Sequence, residues 1–167
     1  MTNLITVQEL AQFRDIGKKY DEDKANEAIS LAQQSDLIAI LGDFYFDVVE
    51  NSQEATYSDL MNGSTFEYEE NSYIHQGIKK LLADYAYSRY VYMVNVAPSP
   101  FGFTTKITNN GEVVDRNILK DITKQAQVDA GYKFKFIEKY ILSNPLFSRY
   151  VKEKEDTNFF NNKFSVI

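Results

Sequence analysis

The sequence contains no cysteine, no tryptophan and only one histidine, His75. Without cysteine the chain cannot build a disulfide framework or a thiolate metal site. A single histidine leaves little from which to assemble a Ser–His apparatus or a multi-histidine metal site. The nucleotide-binding patterns GxxxxGK(S/T) and GxGxxG and the zinc-binding pattern HExxH are also missing. These absences predict a protein that is not an enzyme and that uses no cofactor and no metal.

Long apolar runs are absent as well. None approaches the ~20 residues that a transmembrane helix needs. The first ten residues have neither the basic start nor the apolar core of a signal peptide. We therefore expect no membrane partner. The chain has 167 residues, of which 44% are hydrophobic and 14% aromatic, a composition that suits one domain with a substantial core.

Basic residues are scarce in the first part of the chain. Residues 1–70 carry 15 acidic and 4 basic side chains, whereas residues 71–167 carry 9 acidic and 14 basic ones. The net charge of −6 argues against a general nucleic-acid binder. The uneven distribution has two interpretations. It is either ordinary variation of surface charge or a dipolar subunit whose acidic part meets the basic part of a neighbour.

The stretch 71–96 predicts a long central helix around which the rest of the chain is organised. Asn71 or Ser72 would cap its start, and Pro98 would prevent its continuation. Tyrosines occur on nearly all of its sides, so we expect it to be covered on more than one side. Its apolar residues follow the spacing of one helical face, and they are Ile74, Ile78, Leu81, Leu82, Tyr85, Met93 and Val96.

Shorter helices are predicted before this stretch. Thr6 and Glu9 form a capping box that starts a helix ending near Gly17. A second helix over about 22–41 would close at Gly42 in a left-handed conformation. Asp43 would then cap a short aromatic helix. Residues 57–61 predict one more helical turn, and 67–71 predict an acidic loop.

A last long helix is predicted over about 116–142, with Asp115 as its cap and a basic surface of five lysines. We interpret this surface as solvated or protein-facing rather than phosphate-binding, because acidic residues interrupt the lysines. The expected apolar stripe consists of Ile118, Ile122, Ala126, Ala130, Phe134, Ile137 and Ile141.

Between the two long helices, Pro98 and Pro100 force an extended path. Apolar and polar residues then alternate over 101–107, and Asn110-Gly111 is a strong hairpin signal. The predicted fold class is therefore mainly α. It is a helical bundle around the central helix, with a projecting β-hairpin at about 100–114 and an extended C-terminal arm. Residues 1–150 would form a single helical domain with 97–115 as an inserted arm, and 151–167 a C-terminal extension.

Apolar side chains on these two arms are the candidate interface residues. Such groups on extended arms usually need a partner surface; the alternative is that both arms fold back on their own subunit. His75 is interpreted as a packed side chain at the first turn of the central helix, and the carboxylates of 21–23 and 67–70 as a helix start and a solvated loop. The predicted interface residues are Phe101, Phe103, Ile107, Phe159, Phe160, Phe164 and Ile167.

Several segments resemble a known family across residues 4–150. They are LITVQEL, AQQSDLIAILGDFYFDV, YSDLMNG, HQGIKKLLADYAYSRYV, PFGFTTK and YILSNPLFSRY. The chain resembles the head-to-tail connector proteins, also called adaptor or ring proteins, from the neck of tailed bacteriophages that infect Bacteroides, of the crAss-like type. The motifs are structural, and the last ~17 residues lie outside the resemblance.

The resemblance implies a mainly helical subunit that assembles as a homo-oligomeric ring, expected to be a dodecamer. Its partners would be the portal protein and the next neck or tail ring protein, and double-stranded DNA would pass through its lumen without specific binding. The protein would be assembled in the bacterial host cytoplasm and reside in the virion at the head–tail interface. The alternatives are another virion role, such as a tail-completion protein, and a small soluble regulator that binds a host protein or nucleic acid.

Overall fold

The computed structural model of the chain describes residues 2–99, 102–105 and 115–150, with the backbone path alone at 97–99 and 102–105. This part of the chain is mainly α-helical, as predicted. Its α-helices, in chain order, are α1 (Val7–Phe13), α2 (Glu22–Leu31), α3 (Ile38–Leu41), α4 (Phe44–Asn51), α5 (Ser58–Asn62), α6 (Gly77–Asn95) and α7 (Arg116–Ser143). Two antiparallel ribbons pair β1 (Ser64–Tyr68) with β2 (Asn71–His75) and β3 (Val96–Ser99) with β4 (Gly102–Thr105).

Helix α6 is the central element, and it lies between α2 on one side and α7 on the other. Its Asp84 accepts hydrogen bonds from Lys133 of α7 and from Arg14. Arg89 instead pairs with Asp36, and the Tyr90 hydroxyl accepts a hydrogen bond from the amide of Asp21. Because about 3.6 residues make one helical turn, Asp84 and the Arg89–Tyr90 pair point to opposite sides of α6. The fold therefore has three layers in the order α2, α6, α7.

The predicted start of the central helix at Asn71 is wrong, because 71–75 is strand β2. Helix α6 begins at Gly77 with a φ of +81°, a conformation that glycine adopts without strain. Ile74, which we expected on the buried face, is 71% exposed on the ribbon. A β-strand turns alternate side chains to opposite faces, so His75 points inward and Ile74 outward.

The predicted acidic loop at 67–71 is in fact the tip of the β1–β2 ribbon. Glu69 and Glu70 connect the strands with φ values of +50° and +63°, the left-handed pair that type I′ turns use. The Asn71 side-chain amide donates to the Glu69 carbonyl at 2.8 Å. Across the strands, the rings of Phe66 and Tyr73 stack at 5.8 Å. Aromatic pairing therefore stabilises a turn whose sequence is unfavourable.

The capping box of α1 is confirmed: Thr6 Oγ1 accepts from the Glu9 amide at 3.1 Å and Glu9 reaches back to the Thr6 amide at 2.8 Å. Helix α1 ends at Phe13 rather than near Gly17. The second predicted helix is continuous over 22–41, but 32–37 widens into a π-helix between α2 and α3. Gly42 closes it with a φ of +58°, as expected.

Asp43 does not cap α4, because its own backbone is already helical and its side chain makes no capping hydrogen bond. The helical turn expected at 57–61 is present, as a 3₁₀ turn at Ala55–Tyr57 followed by α5. Phe44 of α4 packs edge-on against Phe147 and Tyr150, which follow α7. This aromatic cluster closes one end of the core.

The second ribbon differs in register from the prediction. Helix α6 ends at Asn95, and Pro98 lies in β3 opposite Phe103 of β4. The paired strands thus begin earlier in the chain than the alternation indicated, because proline cannot continue a helix and favours an extended path. The expected turn at Asn110-Gly111 lies outside the described residues.

Helix α7 agrees with the prediction in length and in its cap, where Asp115 accepts from the Asn117 amide at 2.6 Å. Its buried stripe is formed by Leu119, Ala126, Ala130, Ile137, Tyr140 and Ile141. Ile118 and Ile122 are not part of it, contrary to the prediction. None of the helices within the described ranges combines the length and apolar character that crossing a bilayer requires.

Candidate protein-interaction surface

The predicted interface residues fall almost entirely outside what the structure describes. Phe103 lies in β4, where the backbone is described. The other six, Phe101, Ile107, Phe159, Phe160, Phe164 and Ile167, lie outside the described residues. Their role in an interface stays a prediction.

An exposed apolar surface occurs instead along α7. Ile118 is 54% exposed and Tyr132 60%, although both are large apolar side chains. Val128, Tyr132 and Phe136 follow each other at intervals of four residues, so they lie in one row along the helix. Ile122 lies one turn after Ile118. A row of this kind on a helix whose other side is already buried has the character of a contact surface.

Lysines lie beside this row. Lys120, Lys124 and Lys135 are exposed, and none of them forms an ion pair with a described residue. Lys135 Nζ lies 5.0 Å from the centre of the Tyr132 ring. We refer to the combined surface as the outer α7 face, which consists of Ile118, Lys120, Ile122, Lys124, Val128, Tyr132, Lys135 and Phe136. Asp121 adds one exposed carboxylate to it.

A buried ion cluster fixes α7 in place. Asp84 is 1% exposed and accepts from Arg14 Nε at 2.7 Å and from Lys133 Nζ. Arg14 Nη2 also donates to Asp129 of α7 at 2.8 Å. Burial opposes the charge of Arg14, but the hydrogen bonds to both carboxylates raise its pKa. The Arg14 hydrogen bond in turn lowers the pKa of Asp129. Charges held this way make the outer α7 face part of a fixed element.

On the opposite side of the molecule, α2 presents an acidic surface. Asp23 and Glu27 are exposed, and neither forms an ion pair with any residue in the described ranges. Leu31, four residues after Glu27, is exposed as well. We refer to Asp23, Glu27 and Leu31 as the outer α2 face. The two outer faces carry opposite charges and point away from each other.

His75 lies in the core and not on either face. It is 2% exposed and stacks on Tyr140 with ring centres 4.3 Å apart. Its Nε2 lies 3.1 Å from Ser64 Oγ, while its Nδ1 has no hydrogen-bond partner among the described residues. Burial lowers the pKa of His75 to about 4. The interpretation as a packed side chain is confirmed, although its position is in β2 rather than α6.

The acidic residues and His75 do not come together as a metal centre. No group of three or more His, Cys, Asp or Glu side chains within the described ranges is arranged to hold a metal ion. The carboxylates of 21–23 occur at a helix start, as expected, where Asp21 accepts from the Lys24 amide at 3.1 Å.

The model of a family of unknown function, DUF6712, matches residues 37–158, which is more than two thirds of the chain. The chain belongs to this family. The range that matches DUF6712 includes α3 to α7 and hence the outer α7 face, whereas α1 and α2 precede it. No curated protein matches the chain, and no solved structure does.

Proposed function

We propose that this chain is a non-enzymatic structural protein of a tailed-phage virion. It forms an oligomeric ring in the neck, joins the portal to the tail and surrounds the channel through which DNA passes. The observation that carries the proposal is the outer α7 face. It combines exposed apolar side chains with lysines that have no ion-pair partner among the described residues, on a helix that is rigidly attached to the core.

The chemistry of the outer α7 face supports a protein partner. Protein interfaces are enriched in tyrosine, phenylalanine and other large side chains at their centres, surrounded by charged residues. Tyr132 and Phe136 with the flanking Lys135 fit this composition. A surface that bound phosphates alone would gain nothing from Ile118, Ile122 and Val128.

The charge distribution supports assembly from many copies. A subunit with an acidic first part and a basic second part can join head to tail with further copies of itself. A net charge of −6 per copy also suits a channel for DNA, because a wall that bound phosphate tightly would slow its passage. The resemblance of segments such as HQGIKKLLADYAYSRYV to connector proteins supports a position of the expected ring between portal and tail.

Imaging of the phage particle that carries this chain tests the proposal. We expect cryo-electron microscopy to show a ring of copies of this chain beneath the portal, with the helices around α6 forming its wall. Particles assembled without the chain should contain DNA-filled heads that lack tails. Mature particles that do not contain the chain would refute the proposal, and a position at the far end of the tail would favour a tail-completion role.

A regulator that binds nucleic acid is a second candidate, because Lys120, Lys124 and Lys135 are exposed and unpaired among the described residues. Binding of the purified chain to duplex DNA at two salt concentrations separates the two functions. A phosphate-binding protein loses affinity steeply as salt rises. The ring proposal predicts weak DNA binding at physiological salt, even at high protein concentration.

A further inference from the structure

We propose that the outer α7 face of one copy binds the outer α2 face of the next copy. This inference rests on the proposed ring and names the two surfaces through which its subunits join. Each surface is exposed and rigid within one copy. The outer α7 face carries lysines, the outer α2 face carries carboxylates, and both include exposed apolar side chains.

The match is residue by residue. On α7, Lys120, Lys124 and Val128 occur at intervals of four residues and are all exposed. On α2, the exposed residues at the same intervals are Asp23, Glu27 and Leu31. Four residues span about 6 Å along a helix axis. When two such helices lie side by side in the same direction, they form two pairs of opposite charges, Lys120 with Asp23 and Lys124 with Glu27. One apolar pair, Val128 with Leu31, follows.

Rows at intervals of four residues are also the ridges through which helices pack in proteins. Val128 is 40% exposed and Leu31 is 37% exposed, so both side chains have surface left to bury. The remaining apolar side chains of the outer α7 face, such as Tyr132, extend the row beyond the end of α2. They can contact the segment that follows α2 in the neighbouring copy.

The three-layer fold places these surfaces correctly for a ring. Because α6 separates α2 from α7, a copy bound at its α7 side still has its α2 side free for another copy. Such a contact joins two different patches, and repeating it gives a closed ring or an open filament, depending on the rotation between neighbours. A contact between two identical α7 faces would instead stop at a dimer and bring lysines together.

Charge reversal on the full-length chain tests this contact. The first variant carries Asp23→Lys and Glu27→Lys, and the second carries Lys120→Glu and Lys124→Glu. Sedimentation velocity over a range of protein concentrations measures assembly, and circular dichroism verifies the fold. We expect the wild-type chain to assemble and each variant to associate at least about 100-fold more weakly, because like charges would then face each other.

Recombining the reversed charges gives the decisive readout. A mixture of the two variants, and the single chain that carries all four substitutions, should both regain assembly because opposite charges face each other again. Two matched controls change the same number of charges elsewhere. Glu50→Lys with Glu54→Lys alters exposed carboxylates four residues apart, and Lys18→Glu with Lys19→Glu alters exposed lysines. Both controls should assemble like the wild type.

Three results would overturn the inference. They are a wild-type chain that stays monomeric at every concentration, reversed variants that assemble like the wild type, and folded variants whose mixture stays monomeric. Loss of DNA binding by the α7 variant with unchanged assembly would assign the lysines to nucleic acid instead. In each case a ring of this chain in the imaged particle would leave the proposed function standing, whereas its absence there would remove both.

Discussion

His75 is packed so tightly in the core that its charge state affects the stability of the fold. Its ring lies between Tyr140 of α7 and Phe66 of β1, and Ser64 is its hydrogen-bond partner. Burial lowers the pKa of His75 and outweighs the charge of Asp59 of α5, which favours protonation. The folded protein therefore keeps His75 neutral at pH values where an exposed histidine would bind a proton.

This packing predicts a loss of stability in mild acid that depends on His75. Its pKa is about 4 in the folded chain and about 6.5 when unfolded, so the unfolded state binds more protons below pH 6.5. The free energy of unfolding should fall by up to about 1.4 kcal/mol per pH unit between pH 6.5 and 4. Urea denaturation across this range measures the slope. His75→Phe keeps the stacking and should remove the contribution of His75 to this slope. An identical slope in both proteins would contradict the prediction.

The ion cluster around Asp84 is expected to contribute strongly to the stability of the fold. Asp84→Asn removes the charge that neutralises Arg14 and Lys133 in a buried site. Removing one partner of a buried pair costs about 3 kcal/mol or more. Asp129→Asn is the matched control, because Asp129 bonds the same Arg14 but is a third exposed, so its loss should cost under ~1 kcal/mol. Equal losses of stability in the two variants, measured by urea denaturation, would refute this account.

Two glycines lie in helices α6 and α7, and they should respond in opposite ways to alanine. A Cβ atom on Gly77 would lie 2.5 Å from the Met61 carbonyl oxygen and from the Gly63 nitrogen, and its φ of +81° is itself strained for alanine. Gly77→Ala should therefore lose about 3 kcal/mol or more. A Cβ atom on Gly131 would meet nothing within 4 Å, so Gly131→Ala should gain about 0.5–1 kcal/mol of stability through helix propensity. Thermal unfolding of the two variants measures both effects, and a stable Gly77→Ala protein would show that the α6 start can shift.

Local signals in the sequence predicted the elements that depend on them. The capping box at Thr6 and Glu9, the closing Gly42 and the cap Asp115 each act within a few residues, so their outcome could be predicted without the fold. The β1–β2 ribbon could not be found in this way. Its turn uses Glu69 and Glu70 with positive φ, and contacts between residues of the folded ribbon, such as the stacking of Phe66 on Tyr73, offset the cost of that conformation.

The outer α7 face was missed for a related reason. Buried residues of α7 follow alternating intervals of seven and four, as at Leu119, Ala126 and Ala130. Ile118 and Ile122 each lie one position before the buried side of the helix, which includes Leu119. A prediction based only on apolar character therefore places both of them in the core. Which apolar side of α7 faces α6 is decided by Asp84, Lys133 and Arg14, whose pairing links residues far apart in the sequence. Sequence periodicity contains no signal for that pairing.

The whole molecule has its two complementary surfaces on its two outer layers. Helix α6 is almost fully enclosed between them, and the ion pairs Asp84–Lys133 and Asp36–Arg89 attach it to both sides. A subunit built in this way transmits the position of its α7 side to its α2 side with little deformation. This rigidity suits a ring whose closure requires the same angle at every contact.

The C-terminal extension is expected to act in the assembled particle. Residues 151–167 carry the apolar side chains of Phe159, Phe160 and Phe164 beyond the charged run 152–156. Each aromatic side chain buried at the centre of an interface could contribute ~2 kcal/mol or more. Deleting 152–167 should therefore abolish attachment to portal-bearing heads, measured by co-sedimentation, while the thermal midpoint of the isolated chain stays unchanged. Replacing the three phenylalanines with serine should have the same effect at full length. If the shortened chain attaches as well as the intact one, the extension has no part in joining head to tail, and another surface of the chain must bind the portal.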